Sequence, residues 1–266
     1  MDWKDKVVLV TGSCSGLGLE MNRQLVLAGA KVVYHSRSAT KPLHEFALEA
    51  IQQERAIHLH GDVQSYEVNV RLIEETIQVF GRLDVLINNA GISSVGTLED
   101  TEISTLNEVF FSNLMAVLYL TKLAIPHLKK NEGKIYFISS LAAFYGLPNY
   151  LSYSSSKIAL KTAQEALSSE LKPFHIKVGI IYLPFVQNDA SKYTLNQYGE
   201  RVEVPQRNQR MLLTQPQAAH RILSAISRSR LRVYPSQTAR IYKTLNQYFP
   251  RLVSWLVDRN YQKQRG

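Results

Sequence analysis

The sequence predicts an α/β fold: a doubly wound parallel sheet with helices on both faces. Three observations carry this expectation. Short β-branched runs alternate with amphipathic helical patterns through Pro184. The runs are apolar almost without a break, as strands buried on both faces must be. The connections are short, and strand–helix alternation with right-handed crossovers builds a parallel sheet.

In chain order the expected strands are "KVVLVT" (6–11), "KVVYHS" (31–36), "IHLHGDV" (57–63), "LDVLINN" (83–89), "GKIYFISS" (133–140) and "IKVGIIYLP" (176–184). Helical patterns fall between them near 17–28, 43–54, 66–80, 101–130 and 150–172. Beyond Pro184 the rhythm breaks, and residues 185–210 read as a polar, irregular, mobile loop over a site. A helix near 216–229 and a short strand at 230–235 follow. This gives a domain over 1–235, with a substrate loop at about 185–215, and a basic amphipathic helical extension over 236–266.

The 266 residues fit one α/β unit, and a chain this long buries enough surface to need no metal or disulfide staple. Cys14 is the only cysteine, so no intrachain disulfide forms, which suits a reducing, cytoplasmic setting. The N-terminus lacks a secretory-signal pattern, and no run approaches 18 apolar residues, so no spanning helix is expected. Net charge is +9, with the basic excess gathered in the last 60 or so residues. That asymmetry suits an anionic surface or acidic partner; without a nucleic-acid motif, no nucleic acid is expected. His35, His58 and His60 lack metal-ligand spacing, and no metal site is expected.

The chemistry resides in three short stretches. "TGSCSGLG" (11–18) follows the first strand, with glycines at 12, 16 and 18. Such a turn lets backbone approach a ligand, and a helix starting near Leu17 points free N–H groups and its dipole at a pyrophosphate. The second strand ends "YHSRS". No acid lies within 31–40, where a carboxylate would hold free ribose hydroxyls. Ser36 and Arg37 suit a 2′-phosphate instead, so NADP(H) is expected over NAD(H). In "NYLSYSSSKIALK" (149–161), Tyr153 and Lys157 lie one helical turn apart on one face. A nearby ammonium favours phenolate, turning a poor acid–base group into a usable one.

With these stretches in this order, plus "NNAG" at 88–91, the chain resembles the short-chain dehydrogenase/reductase family in its compact branch, over roughly residues 5–184. The resemblance implies a Rossmann-type fold and hydride transfer between a nicotinamide and a carbonyl or secondary alcohol. It implies a catalytic set of Asn113, Ser140, Tyr153 and Lys157. Ser140 lies 13 residues before Tyr153, the usual family interval; Ser139 is the competing candidate, expected to be structural. Gly12, Ser13, Ser15, Gly16, Leu17 and Gly18 would cradle the cofactor, with Ser36 and Arg37 at its phosphate. Asp62 and Val63 would lie against adenine, Asn89, Ala90 and Gly91 along the cleft, and Pro184 and Val186 near the nicotinamide. Lys157 would also hold the nicotinamide ribose, and Asn113 a water.

The resemblance also implies a homodimer or homotetramer paired through the helices at 101–130 and 150–172. One departure stands out: in "LPFVQND" (183–189) Phe185 replaces the family's usual glycine, and Asn188 or Asp189 stands where a threonine often follows. The competing expectation is a non-catalytic NADP(H)-sensing protein on the same fold. Phe185, Tyr193, Tyr198, Met211 and Leu212 suggest an apolar pocket for a steroid-, retinoid- or lipid-like substrate. Phe144, Tyr145 and Tyr150 fit packing or the substrate wall. Pro250 suits a first helical turn, so residues 238–264 are expected as two short helices meeting near Phe249. Ile241, Leu245, Phe249, Leu252, Trp255 and Leu256 form a stripe flanked by Arg240, Lys243, Arg251 and Arg259. That stripe packs on the domain or a second subunit, or meets an anionic membrane.

Overall fold

Alternation along each strand divides two cores. In β1 (Val7–Val10), Val7 and Leu9 face one layer while Val8 and Val10 face the other. The computed structural model describes residues 1–40, 42–188, 192–204 and 212–265, so Asp189 and Met211 lie outside the described residues. Strands β2 (Lys31–Ser36), β3 (Ala56–His60), β4 (Val85–Asn88), β5 (Lys134–Ser140) and β6 (Lys177–Leu183) follow the expected positions closely. With β9 (Arg232–Val233) they form a seven-stranded, all-parallel sheet in the order β3-β2-β1-β4-β5-β6-β9. Strand order reverses between β1 and β4, and the crevice at the strands' carboxyl ends there is where such folds bind ligands.

Helices α1 (Gly16–Leu27), α2 (Glu45–Gln52) and α7 (Gln215–Ser227) cover the Val8 face. Helices α3 (Tyr66–Phe80), α5 (Ala116–Lys129) and α6 (Leu151–Glu170) cover the other. The helix expected at 101–130 is α4 (Ile103–Phe110) joined to α5 by one π-helical turn, Phe111–Met115. The whole run Ile103–Lys129 is long and apolar enough to cross a membrane. Its Val117, Leu120, Ala124 and Leu128 are nevertheless buried in the core, which identifies a core helix.

The expectation of an irregular loop at 185–210 is corrected in part. Within it, β7 (Tyr193–Leu195) and β8 (Arg201–Glu203) form an antiparallel hairpin. Three-residue strands carry too little periodicity to be read, and the pairing rests on contacts remote in sequence. Leu195 bridges Ser94, the Leu195 amide donates to the Ser93 carbonyl at 2.8 Å, and Thr194 Oγ1 donates to the same carbonyl at 2.9 Å.

The tail forms α8 (Gln237–Tyr248) and α9 (Pro250–Arg265), meeting at Phe249 with Pro250 as first residue of α9. The docked side of this pair carries the buried Ala239 and Val253. Asn246 Nδ2 donates to the Phe144 carbonyl at 2.7 Å, and the Tyr145 hydroxyl to Ser254 Oγ at 3.0 Å. The stripe read from the sequence therefore does not pack as a unit. Leu245 is half-buried, but Ile241, Phe249, Leu252, Trp255 and Leu256 are exposed.

Candidate active site

The crevice is built first by its turn. Gly12 has φ +64° and Gly16 φ +55°, a region side chains disfavour. At Gly18 an added Cβ would lie 2.8 Å from Ser13 Cα and 2.9 Å from Asn89 Nδ2, so only glycine packs there. Asn89 Nδ2 donates to the carbonyls of Thr11 (2.8 Å) and Gly12 (3.2 Å). The Asn89 and Ala90 amides donate to Thr11 Oγ1 at 3.0 and 2.9 Å. Ser13 turns inward: its hydroxyl donates to the Val10 carbonyl and its amide to that of His35. Ser15 begins α1 without a side-chain cap, which leaves first-turn amides for an anion. Leu17 packs on the core from the first turn of that helix.

His35 was not singled out for this site by its sequence position, yet it sets the turn. Its Nδ1 accepts from the Gly12 amide at 3.0 Å, so its Nε2–H donates to the Gly61 carbonyl at 2.9 Å. Burial, the largest cause, lowers its pKa to about 4, so the ring is neutral and this tautomer is fixed.

Arg37 follows the end of β2, exposed, with Nη2 donating to the Tyr193 hydroxyl at 2.8 Å. Ser36 beside it is buried, its hydroxyl engaged with the Ser38 carbonyl and His58 Nε2. Asp62 Oδ1 accepts from the Gln64 amide, and half-buried Val63 packs on the core below.

On the other side of the crevice, Ser140 ends β5 and its Oγ accepts from the Ala142 amide at 3.2 Å. Ser139 is buried and donates to the Lys157 carbonyl at 2.9 Å, a bracing role as expected. On α6, Lys157 Nζ lies 5.9 Å from the Tyr153 ring centroid and donates to the Ile138 carbonyl at 3.0 Å. Burial first, and the Lys192 charge second, lower the Lys157 pKa to about 8. Asn113 sits in the π-helical turn, a distortion frequent at functional sites. Its Oδ1 accepts from the Ile92 amide at 2.9 Å, and its Nδ2 donates to the Ile92 carbonyl and to Ser156 Oγ. It clamps the segment after Gly91 to the helix of the Tyr–Lys pair.

Gly91 tests whether a nicotinamide nucleotide fits. An added Cβ there would stand 2.7 Å from Asn113 Oδ1 and 3.1 Å from Lys157 Nζ. The missing side chain lets the backbone at 91 close on Asn113 and on the Lys157 ammonium, so backbone rather than side chain lines the crevice between the turn and α6. The residues fit the group.

At the rim, Pro184 is buried, while half-buried Val186 bridges Leu213. Phe185 is exposed. Phe144 stacks on Tyr182 at 4.5 Å, which assigns it to packing, while Tyr145 anchors the tail. A cavity of about 380 Å³ is lined by Leu98, Leu147, Pro148, Leu151 and Tyr261 among others, and its lining does not include Ser140, Tyr153 or Lys157.

A parallel sheet with this switch point, a glycine turn at β1 and a Tyr–Lys pair beside β5 defines a dinucleotide-binding protein of the dehydrogenase type. Residues 6–199 match the short chain dehydrogenase family, and the chain belongs to that family. It is 38% identical over 190 residues to an Arabidopsis thaliana protein named 11-beta-hydroxysteroid dehydrogenase-like 2, covering 70% of this chain and 61% of that protein. It is 30% identical over 234 residues to a Xenopus tropicalis dehydrogenase/reductase SDR family member 7B, covering 85% of this chain and 76% of the relative. Among solved structures, a short-chain dehydrogenase from Streptomyces avermitilis superposes with TM-score 0.78 at 27% identity, covering 97% of this chain and 99% of that one.

Proposed function

We propose that this chain is an NADP(H)-dependent oxidoreductase acting on a carbonyl or secondary alcohol of an apolar, steroid- or lipid-like substrate. The observation that carries the reading is Tyr153 on the same helix face as buried Lys157, beside the Ser140 end of β5. The nicotinamide, when bound, supplies or accepts the hydride. In reduction, Tyr153 Oη gives its proton to the substrate oxygen, and Ser140 Oγ donates a hydrogen bond where negative charge develops. In oxidation Tyr153 takes the alcohol proton. The Lys157 ammonium favours the phenolate form and faces the ribose side of the crevice. The α1 amides and Arg37 would hold the phosphates. The substrate class is supported by the name of the Arabidopsis relative.

Two arms test this reading. Turnover across a panel of apolar ketones separates the enzyme from a cofactor sensor, which would bind without turnover. Arg37→Ala is expected to weaken NADPH by about ten- to a hundredfold in a binding titration, with NADH little changed. Equal losses for both cofactors would show that Arg37 does not read the phosphate.

The reading extends to two surfaces. Ile103, Phe111, Leu151 and Ile158 are exposed on the helices that suit subunit pairing, which supports a homodimer or homotetramer. The extension over 236–266 turns Leu252, Trp255 and Leu256 outward on α9, with the Arg259 guanidinium 5.2 Å from the Trp255 ring. Apolar side chains edged by cations suit an anionic membrane surface. Sedimentation is expected to show a dimer or larger, and anionic vesicles to bind salt-sensitively through residues 236–266. A monomer at micromolar concentration, or no vesicle binding, counts against the respective surface.

A further inference from the structure

The hairpin crosses the crevice. Its β7 strand is tied to Ser93 and Ser94, beyond the end of β4, by the Leu195 bridge and the Thr194 bonds. Its first residue, Tyr193, reaches Arg37, beyond the end of β2. In the sheet β1 lies between β2 and β4, so the hairpin spans two strand spacings, roughly 10 Å, over the mouth above the glycine turn. A second cation joins it: the Arg201 guanidinium of β8 lies 4.5 Å from the centroid of the Tyr193 ring. One phenol therefore gathers two guanidiniums, one from the sheet and one from the hairpin, at the place where the phosphate-reading arginine stands. Tyr193 accepts from Arg37 and still carries its own O–H to donate. A dianionic phosphate monoester meets such a set with charge-assisted bonds from several directions.

We propose that Arg37, Tyr193 and Arg201 together form the site for the cofactor's 2′-phosphate, making the 193–203 hairpin a clasp that NADP(H) latches and NAD(H) does not. The assignment rests on the NADP(H) reading above. The clasp's consequence is that phosphate recognition at the adenosine end orders the hairpin over the crevice. Lys192, next to Tyr193, already acts electrostatically on Lys157.

Binding titrations of the intact chain with NADPH and NADH test the clasp, with hydrogen exchange of the 193–203 amides as an independent readout. Tyr193→Phe and Arg201→Ala are each expected to weaken NADPH about tenfold and to leave NADH within about twofold. NADPH is expected to slow exchange across the hairpin more than NADH does, and Tyr193→Phe to remove that difference. Wild-type NADPH affinity in both variants, with Arg37→Ala still selective, overturns the clasp and leaves the NADP(H) reading standing. Equal loss of both cofactors in the hairpin variants makes the hairpin a structural strut and also overturns it. Loss of selectivity at neither Arg37 nor the hairpin removes the NADP(H) reading and the clasp together.

Discussion

Tyr153→Phe is expected to lower turnover by about 10²–10⁴-fold while cofactor affinity stays close to that of the native chain. The substitution removes one oxygen and keeps the ring, so the packing of the helix and the approach of Lys157 to the ring face, 5.9 Å from its centroid, are retained. In the proposed mechanism, what disappears is the O–H that would give a proton to the substrate oxygen, and neither Ser140 nor the buried Lys157 would replace it. Steady-state kinetics with a carbonyl substrate, beside a cofactor titration, checks it. Retention of most of the turnover would remove Tyr153 from the proton transfer.

Lys157→Met is expected to separate activity from stability. Turnover should fall about 10²-fold or more, because the cation that favours phenolate is gone. The empty protein, by contrast, should become more stable at pH 7. Burial lowers the Lys157 pKa from its ordinary 10.5 to about 8, so folding opposes the charged form. Between those two values the unfolded chain holds the proton and the folded chain does not. Native stability from this group is therefore full above about pH 10.5 and falls as pH drops through 8, by about 3 kcal/mol. The methionine variant lacks that loss. Its advantage in denaturant unfolding should be largest below pH 8 and should shrink from 8 towards 10.5. A gap independent of pH would show that Lys157 is not buried as a destabilised cation.

The sequence by itself determined the features that depend on local spacing. Continuous apolar runs marked six strands of the sheet, since a strand buried on both faces admits few polar side chains. Gly12, Gly16 and Gly18 marked the turn because two hold positive φ and the third touches backbone. Tyr153 and Lys157 met because residues four apart on a helix share a face. Pro250 opened the last helix because its fixed φ suits a first turn. Only the tertiary structure decided what remote segments impose on one another. The His35 tautomer follows from bonds to Gly12 and Gly61, on two other segments. Asn113 clamps Ile92 to Ser156 through a π-helical turn that no periodicity announces. The outward side of the tail stripe was set by where Ala239 and Val253 dock, because an amphipathic pattern states that a helix has two faces and not what covers each. The hairpin at 193–203 exists because Ser93 and Ser94 offer it an edge, and Tyr193 meets Arg37 across 156 residues of chain. Contacts of that range are fixed by packing the whole sheet, after local preferences have been spent.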